Sequence, residues 1–355
     1  MPSALIVHSQ SHDPWHNLAL EEYLLRKLSA EKSGKPDGSD RLAAILYLWQ
    51  NQDTVVIGRN QNAWAECKTA LLEAEGGKLA RRTTGGGAVF HDLGNLNFSL
   101  LLPQADFDLE RNFQMIVDTV RQEGIAAERS GRNDILVDGL KFSGNAFRIN
   151  HGVGLHHGTL LVHSEFERVG RYLTVAPAKL AVKGIQSVRS RITNLQAIRP
   201  DITVGHLMAA MENAFIRDFC TDASGQEWQL TWKTDQDFAG DPLLTELQNH
   251  FASWEWRYGS TLAFDAQLEE KLSWGHVQVG LQVSQGLITQ ARIYSDALDS
   301  DFIDQISGCL QGLPFSSEEM AQAILGLAAK DRNDFGVSHL QMAEDLAGLL
   351  KAEGW

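Results

Sequence analysis

Residues 81–92 have the sequence RRTTGGGAVFHD, and the fold and function of the chain are inferred outward from this block. Its three successive glycines, Gly85 to Gly87, carry no Cβ, so the backbone can turn sharply and bring N–H groups close to a ligand. Arg81 and Arg82 add guanidinium groups, which suit phosphate or carboxylate. Two interpretations stay open: a cradle for a phosphate or an acyl phosphate, or a glycine turn with solvated arginines. The chain has no GxxxxGK[ST] spacing, so the block is not a Walker A loop.

Charge is unevenly distributed along the 355 residues, whose formal net charge is −14. Residues 1–200 carry a net charge of +2, and residues 201–355 carry −16. An anion-binding site is therefore expected in the first part. The hydrophobic fraction of 43% and the charged fraction of 21% are typical of a globular protein. An acidic chain without a long basic tract is a poor candidate for a nucleic-acid-binding protein.

Length and composition predict two domains, because single hydrophobic cores stop growing at about 250–300 residues. Four tryptophans lie among polar residues over 222–260, and this change in character indicates a first domain at 1–252 and a second at 260–355. The longest apolar run, 42–49, is too short to cross a membrane, and the N-terminus lacks the basic segment of a signal peptide. The three cysteines are far apart and form no CxxC pair, which argues against disulfides and thiolate zinc sites and favours a cytoplasmic protein.

Periodicity of apolar residues predicts a helix over 13–28, with Glu21 away from its apolar face. Strands are predicted at 43–49 and 54–57, paired across a turn at 51–53. Further predicted strands are 78–82, 88–90, 97–102, 135–137, 140–143 and 157–162, with helices at 109–123 and 206–219. The C-terminal part reads as a hairpin over 277–293 and three helices. Bunched short strands with helices before and after indicate an α+β sheet rather than alternating βαβ units.

Three further stretches carry candidate chemistry. Lys141 lies between apolar neighbours and before a Ser-Gly turn, so it is either a fixed cation that stabilises charge on a carbonyl and a phosphate or a solvent-facing strand lysine. Asp134 either supports a magnesium ion or serves as a turn residue. His156 and His157 are adjacent on a strand and point to opposite faces, so they do not readily share a metal. Residues 179–194 are basic and contain a glycine, typical of a loop that closes over an anionic nucleotide or of an exposed basic loop without a ligand.

Taken together, these stretches strongly resemble the bacterial lipoate–protein ligase A family. The motifs that carry the resemblance are, in chain order, 13–22, 53–62, 81–95, 130–134, 141–144, 156–159 and 183–191. They cover nearly the whole of residues 5–200, and residues 253–275 resemble the start of the family's accessory domain. The segment 31–40 departs from the family pattern as an insertion, and residues 220–250 match it poorly.

The resemblance implies an α+β fold with a catalytic domain of the biotin/lipoate protein ligase type, related to class II synthetases, and a small α+β C-terminal accessory domain. It implies that ATP, with Mg²⁺, activates free lipoate to lipoyl-AMP with release of pyrophosphate. The lipoyl group then passes to a lysine ε-amine. The implied acceptors are the lipoyl domains of 2-oxoacid dehydrogenase acyltransferase subunits and the glycine-cleavage H protein, with no nucleic acid or membrane partner. A monomer is expected.

The resemblance also assigns roles to individual residues. Lys141 would be the catalytic residue, in contact with both the lipoate carbonyl and the α-phosphate. The nucleotide would be held by Lys141 and by Arg82, Gly87, Ala88, Val89 and Phe90. The acyl adenylate would be lined by Lys141, Thr84, Arg148 and His157. A mobile adenylate loop would include Lys183, Gly184, Ser187 and Arg189. Residue chemistry alone, and not the resemblance, makes Asp134 the candidate metal ligand, with Asn133 beside it.

Two rival functions remain open at the level of sequence. The first is an acyltransferase that takes octanoate from acyl carrier protein without ATP. The second is a non-catalytic sensor that binds nucleotide and lipoate without turnover. Nucleophilic catalysis by cysteine is not supported, because neither the glycine block nor the stretch around Lys141 contains a cysteine.

Overall fold

A computed structural model describes residues 2–34, 41–174, 191–221, 228–259, 264–328 and 337–355. The chain forms two compact units. The first comprises Met1–Val56, Cys67–Ala80 and Val89–Arg257, and the second comprises Ile57–Glu66, Arg81–Ala88 and Tyr258–Trp355. Two short stretches from the early part of the chain, one of them the arginine–glycine block, thus belong to the same unit as the C-terminal region. The division at 252 and 260 stays a prediction, and it assigns both stretches to the first domain.

Helices and strands alternate irregularly up to residue 257. In chain order they are β1 (Ser3–His8), α1 (Pro14–Gly34), β2 (Leu42–Trp49), β3 (Thr54–Ile57), α2 (Ala63–Glu66), α3 (Thr69–Ala74), β4 (Lys78–Arg81), β5 (Val89–His91), β6 (Asn95–Pro103), α4 (Leu109–Gln122), β7 (Ala127–Ser130), β8 (Asp134–Val137), β9 (Leu140–Asn150), β10 (Val153–Leu161), α5 (Phe166–Tyr172), α6 (Val204–Phe219), β11 (Gln229–Thr234), α7 (Pro242–Ala252) and α8 (Trp254–Arg257).

An eight-stranded sheet organises the first unit, in the order β11-β1-β2-β6-β10-β9-β8-β7. β1 pairs in parallel with β2 and with β11, whereas the pairs from β2 through β6 to β7 are antiparallel. The α+β class is confirmed, with a single βαβ unit, β1–α1–β2, at the start of the chain. A smaller sheet has the order β4-β3-β5.

Helix α1 packs on one face of the large sheet. It begins where Asp13 Oδ1 accepts hydrogen bonds from the N–H groups of Trp15 (2.9 Å) and His16 (3.3 Å), with Pro14 in the first turn. Its apolar residues join alternate residues of β2, Ile45 and Tyr47, in one core cluster. Because every residue of β2 after the first is buried, both faces of this strand are covered, and α6 also contacts β2 and β6.

The predicted hairpin between 43–49 and 54–57 is wrong. β2 pairs with β1 and β6, so it has no free edge, and β3 pairs instead with β5, where Thr54 lies opposite His91. The intervening turn contains Asp53 at φ +46°, which turns the chain away from β2 into the smaller sheet. The elements of this part that the sequence did not predict are β1, α2, α3, β7, α5, β11, α7 and α8.

The C-terminal part of the second unit is an antiparallel sheet with three helices. Its elements are β12 (Ala266–Leu272), β13 (Gly275–Ser284), β14 (Leu287–Ser295), α9 (Ser300–Leu310), α10 (Ser317–Ala328) and α11 (His339–Glu353). The strands follow the order β12-β13-β14, and the three helices join them in one core cluster. The predicted hairpin and its three helices are confirmed here. In neither unit do the described residues include a helix that is long and apolar enough to cross a membrane.

Candidate functional site

The arginine–glycine block forms a tight turn that is braced by its own arginine. Arg82 donates from Nε and Nη2 to the carbonyl oxygen of Gly85, at 3.1 and 2.7 Å, and from Nη2 to that of Gly87, at 2.9 Å. Gly86 has φ +91°, a conformation that glycine adopts without strain. The Arg82 guanidinium therefore shapes the turn whose glycines are predicted to hold the nucleotide.

Arg81 has a different role from the one suggested by its sequence neighbourhood. It is buried, and Nη1 donates to the carbonyl oxygens of Gly58, Arg59 and Gln61 at 3.1, 2.9 and 2.6 Å. Burial, followed by the nearby charge of Arg292, lowers the pKa of the Arg81 guanidinium to about 10. Arg81 thus stabilises the loop after β3, whereas Arg82 donates its hydrogen bonds to the glycine turn.

The same block packs against the chain between β14 and α9. The N–H of Gly86 donates to the carbonyl oxygen of Ala297 at 3.1 Å. A Cβ atom at Gly85 would lie 2.1 Å from that oxygen and 2.5 Å from the carbonyl oxygen of Leu298, so only glycine allows this approach. The neighbouring loop joins the same region, because Asn60 Nδ2 donates to the carbonyl oxygen of Ser300 at 2.7 Å.

Thr84, predicted to line the acyl adenylate, is fully buried, and its carbonyl oxygen accepts a hydrogen bond from the N–H of Arg59 at 2.9 Å. The second unit contains four of the predicted site residues, namely Arg82, Thr84, Gly87 and Ala88.

Val89 and Phe90 lie on β5 in the first unit. The Phe90 ring is buried, with its centroid 5.5 Å from that of Tyr172 and 5.1 Å from Cζ of Arg168. Arg168 is held in place by an ion pair with Asp53. Because the ring is packed internally, a nucleotide contact at Phe90 would come from its backbone.

A β-bulge decides where the Lys141 side chain points. Ile135 on β8 lies opposite Ser143 on β9, yet the next residue, Leu136, lies opposite Lys141, so β9 has one extra residue at Phe142. An extra residue of this kind reverses the side-chain alternation along a strand. Lys141 therefore shares a face with Leu136.

Asp134, two residues before Leu136, lies on this face as well, and its Oδ1 is 2.7 Å from Lys141 Nζ. The backbone of Lys141 is held from the other side: its N–H donates to the carbonyl of Arg191 at 2.8 Å, and its own carbonyl accepts from Thr193 at 2.9 Å. The described residues contain no group of three or more His, Cys, Asp or Glu side chains arranged to hold a metal. Asp134 stays a prediction as a metal ligand, and the structure gives its carboxylate a cationic partner.

His157 belongs to the same face of the sheet. On β10 it lies opposite Ala146 of β9, and Ala146 and Arg148 occupy alternate positions on that strand. Successive positions on one face of a strand are about 7 Å apart. Three residues that are predicted to contact the acyl adenylate, Lys141, Arg148 and His157, thus lie along one face of two adjacent strands.

A buried polar network behind His157 was missed by sequence analysis. His157 Nδ1 lies 2.8 Å from Oε1 of Glu21, which also accepts a hydrogen bond from Ser99 Oγ at 2.5 Å. Ser99 accepts in turn from Trp49 Nε1 at 3.0 Å. Glu21 is only 2% exposed, so its predicted position away from the apolar face of α1 is wrong. The signal available in the sequence was the position of this carboxylate among the leucines of α1, where a buried polar contact is expected.

His156 points away from this network, as the strand alternation predicts. It packs against Phe98, Phe113 and Phe147, and its Nε2 lies 3.0 Å from Oδ1 of Asn145. Burial, together with the neighbouring His157 and Arg129 charges, lowers the pKa of the His156 imidazole to about 3. His156 is a neutral core residue. The predicted loop residues Lys183, Gly184, Ser187 and Arg189 lie outside the described residues.

Two family models match this chain. Residues 13–216 match the family model of the lipoyl protein ligase A/B catalytic domain, and residues 261–344 match that of the bacterial lipoate protein ligase C-terminus. The lipoate-protein ligase A of Psychrobacter cryohalolentis is 39% identical to this chain over 316 residues, which is 89% of this chain and 90% of the relative.

Two solved structures extend the comparison. P. falciparum LipL1 in complex with lipoate is similar over 99% of this chain and 100% of its own, with a TM-score of 0.82 and 29% identity. The archaeal bi-partite lipoate protein ligase of Thermoplasma acidophilum, described with its E2 lipoyl domain, is similar over 75% of this chain and 100% of its own, with a TM-score of 0.61 and 25% identity. The predicted fold, a lipoate ligase catalytic domain with a C-terminal accessory domain, is confirmed.

Proposed function

This chain belongs to the bacterial lipoate–protein ligase A family and is an enzyme of the ligase class, and on that premise we propose the reaction that it catalyses. A carboxylate oxygen of free lipoate attacks the α-phosphorus of ATP, so that lipoyl-AMP forms and pyrophosphate leaves. The ε-amine of an acceptor lysine then attacks the acyl carbonyl. An amide bond forms, AMP leaves with the bridging oxygen, and the amine gives up one proton.

The observation that carries this proposal is the row of side chains on β9 and β10. Lys141, His157 and Arg148 lie along one face of the sheet, in a row that matches the length of an elongated ligand. An acyl adenylate is such a ligand, with a charged phosphate and carbonyl at one end and an apolar chain at the other. Lys141 contacts the carbonyl and the α-phosphate, and its charge stabilises the negative charge that develops there. Arg148 and His157, together with Thr84, line the acyl part.

The nucleotide is held by Arg82, by the backbone of residues 87–90 and by Lys141. The N–H groups of a glycine-rich turn suit a phosphate, and Arg82 keeps that turn in shape. The resemblance also assigns Lys183, Gly184, Ser187 and Arg189, which lie outside the described residues, to the adenylate site. Excluding water from this site protects a reactive mixed anhydride from hydrolysis.

Magnesium enters with ATP, as part of the substrate. Mg²⁺ prefers carboxylate, phosphate and water oxygens in an octahedral arrangement. Within the described ranges, the carboxylate that pairs with Lys141 is that of Asp134, and a second cation would compete with the ammonium group 2.7 Å away from it. The phosphates of ATP, rather than a protein cage, therefore supply most of the ligands.

The thiols of the described residues favour a ligase over a transferase that forms an acyl-thioester. Cys67 and Cys220 are buried, and burial raises the pKa of each thiol to about 12. Burial also raises the pKa of the partly buried Cys309 thiol, so none of the three cysteines is a nucleophilic thiolate at neutral pH. An adenylate-forming ligase needs no nucleophile of its own, because ATP activates the acyl group.

The acceptors are lipoyl domains of 2-oxoacid dehydrogenase acyltransferase subunits and the glycine-cleavage H protein. The Thermoplasma relative, described with an E2 lipoyl domain, supports this class of partner. The enzyme acts as a monomer in the cytoplasm. Residues 121–199 carry a net charge of +6, and an acidic acceptor would dock on this stretch. Arg191→Glu therefore raises the KM for the acceptor, whereas Glu344→Gln, a change at an exposed C-terminal residue, does not.

Pyrophosphate release tests the reaction directly. With ATP, lipoate and Mg²⁺ the protein releases pyrophosphate in a lipoate-dependent manner, and adding a lipoyl domain yields the lipoylated domain and AMP. Absence of release with lipoate and with every other medium-chain acid overturns the proposal. Transfer of octanoate from acyl carrier protein without ATP assigns the acyltransferase function instead, and tight binding without turnover assigns a sensor.

A further inference from the structure

The ammonium group of Lys141 lies over the backbone of Gly144. A Cβ atom added at Gly144 would lie 2.9 Å from Nζ of Lys141 and 3.0 Å from its Cε, closer than real Cβ atoms normally approach other atoms. Gly144 does not have a positive φ, so the backbone at this position does not itself require glycine. The missing side chain leaves the space that the ammonium group occupies.

Both sides of this arrangement are fixed by neighbours. Thr159 Oγ1 accepts a hydrogen bond from the N–H of Gly144 at 3.2 Å, which ties β9 to β10 at this point. On the other side, Asp134 Oδ1 holds the ammonium at 2.7 Å. The bulge at Phe142 brings Lys141 onto this face, so the lysine reaches the glycine three residues further along its own strand.

We propose that Gly144 is a positioning residue for Lys141. The open space above the Cα of Gly144 determines the position of the catalytic ammonium group, and the Asp134 carboxylate closes this space on one side. This inference rests on the proposed function, in which Lys141 contacts the lipoate carbonyl and the α-phosphate. A methyl group at residue 144 displaces a flexible side chain rather than backbone, so it costs little stability. A displacement of about 1 Å at a reacting centre can nevertheless lower a rate by about 100-fold.

The first test is Gly144→Ala, with Gly205→Ala as the matched control. Gly205 lies in the first turn of α6, where an added Cβ would have only an ordinary contact, 3.8 Å from Thr203 Oγ1. Gly144→Ala lowers the kcat of lipoate-dependent pyrophosphate release by at least 10-fold and leaves the melting temperature unchanged, and Gly205→Ala changes neither. Wild-type kcat in Gly144→Ala overturns the inference, whereas a wild-type protein that releases no pyrophosphate overturns the proposed function.

A double-mutant cycle separates positioning from a general effect on the strand. The readout is the Kd of a sulfamate-linked lipoyl-adenosine analogue, measured by calorimetry for the wild type, Gly144→Ala, Lys141→Ala and the double variant. Gly144→Ala weakens binding by about 10-fold in the wild-type background and has no further effect when Lys141 is absent, because the two residues act as one unit. Equal weakening in both backgrounds means that Gly144 acts on the strand itself, and overturns the inference.

Discussion

His157 Nδ1 and Glu21 Oε1 lie 2.8 Å apart in a pair that connects β10 to α1 inside the first unit. The carboxylate also accepts a hydrogen bond from Ser99, so two buried polar side chains converge on Glu21. A buried charge of this kind is retained only when its hydrogen bonds are satisfied. The pair fixes the orientation of the one histidine ring on the candidate acyl-binding face.

Replacing Glu21 tests this arrangement. In Glu21→Gln the charge is lost while the shape is kept, and the amide can turn either its oxygen or its nitrogen towards the imidazole. We expect the KM for lipoate to rise about 10-fold and the free energy of unfolding to fall by about 1–3 kcal/mol. The control is Glu128→Gln on β7, where the side chain is exposed and its charge contributes little to stability. Equal effects of the two substitutions would contradict the role of the pair.

Lys141→Ala removes the cation next to Asp134. We expect adenylate formation to fall by a factor of about 100 or more, because a preorganised charge at a developing anion stabilises the transition state strongly. Single-turnover pyrophosphate release measures this, and circular dichroism should show an unchanged fold. Lys68→Ala, a change at an exposed lysine, serves as the control. Retention of most activity in Lys141→Ala would exclude the assigned role.

The variants Gly85→Ala and Gly87→Ala distinguish two reasons why the arginine–glycine block contains glycine. At Gly85 the reason is close packing, and at Gly87 it is the predicted contact with the nucleotide. A Cβ at Gly85 would collide with the backbone oxygen of Ala297, which cannot move cheaply, whereas one at Gly87 would meet no atom within 4 Å. We expect Gly85→Ala to lower the free energy of unfolding by about 1–3 kcal/mol and Gly87→Ala to leave it unchanged. Denaturant titration of both variants measures the difference, and equal stabilities would refute the packing role of Gly85.

The buried His156 predicts a pH dependence of stability. Its folded-state pKa is about 3, below the ordinary value of about 6.5 in an unfolded chain, so between these values the unfolded state binds a proton that the folded state excludes. The resulting stability is fully present above about pH 6.5 and is lost as the pH falls towards 3. Between pH 7.5 and 5.5 the loss amounts to about 1 kcal/mol.

Urea titrations at the two pH values measure this loss. In His156→Gln we expect the loss of stability on acidification to be smaller than in the wild type by that amount. Substitution of the exposed His206 by glutamine should leave the wild-type pH dependence in place. The same pH dependence in His156→Gln and the wild type would show that another group is responsible.

Local signals in the sequence predicted most elements correctly. The helices 109–123 and 206–219 have strong apolar periodicity, and the structure has them at Leu109–Gln122 and Val204–Phe219. Strand pairing was less accessible, because it depends on which edges are free. The order of β1, β2 and β6 leaves β3 without access to β2, and this is a property of the whole sheet.

The candidate site was predictable in its residues but not in its geometry. Strict alternation would place the Lys141 side chain on the other face of β9 from Leu140 and Phe142. The bulge at Phe142 brings it instead onto the face of Gly144. Glu21 was hidden for a similar reason: its partner His157 is 136 residues away in sequence. No local pattern reports a contact over such a distance.

The second unit is assembled from three separate stretches of chain, and this limits how the protein can be divided. A gene cut after the codon for Arg257 would give an N-terminal fragment that keeps the glycine block but lacks the Ala297 carbonyl on which Gly86 is hydrogen-bonded. The C-terminal fragment would lack the Asn60 side chain that donates to Ser300. Neither fragment would contain the complete second unit, so a split version of this enzyme would regain its glycine turn only when its two halves reassociate.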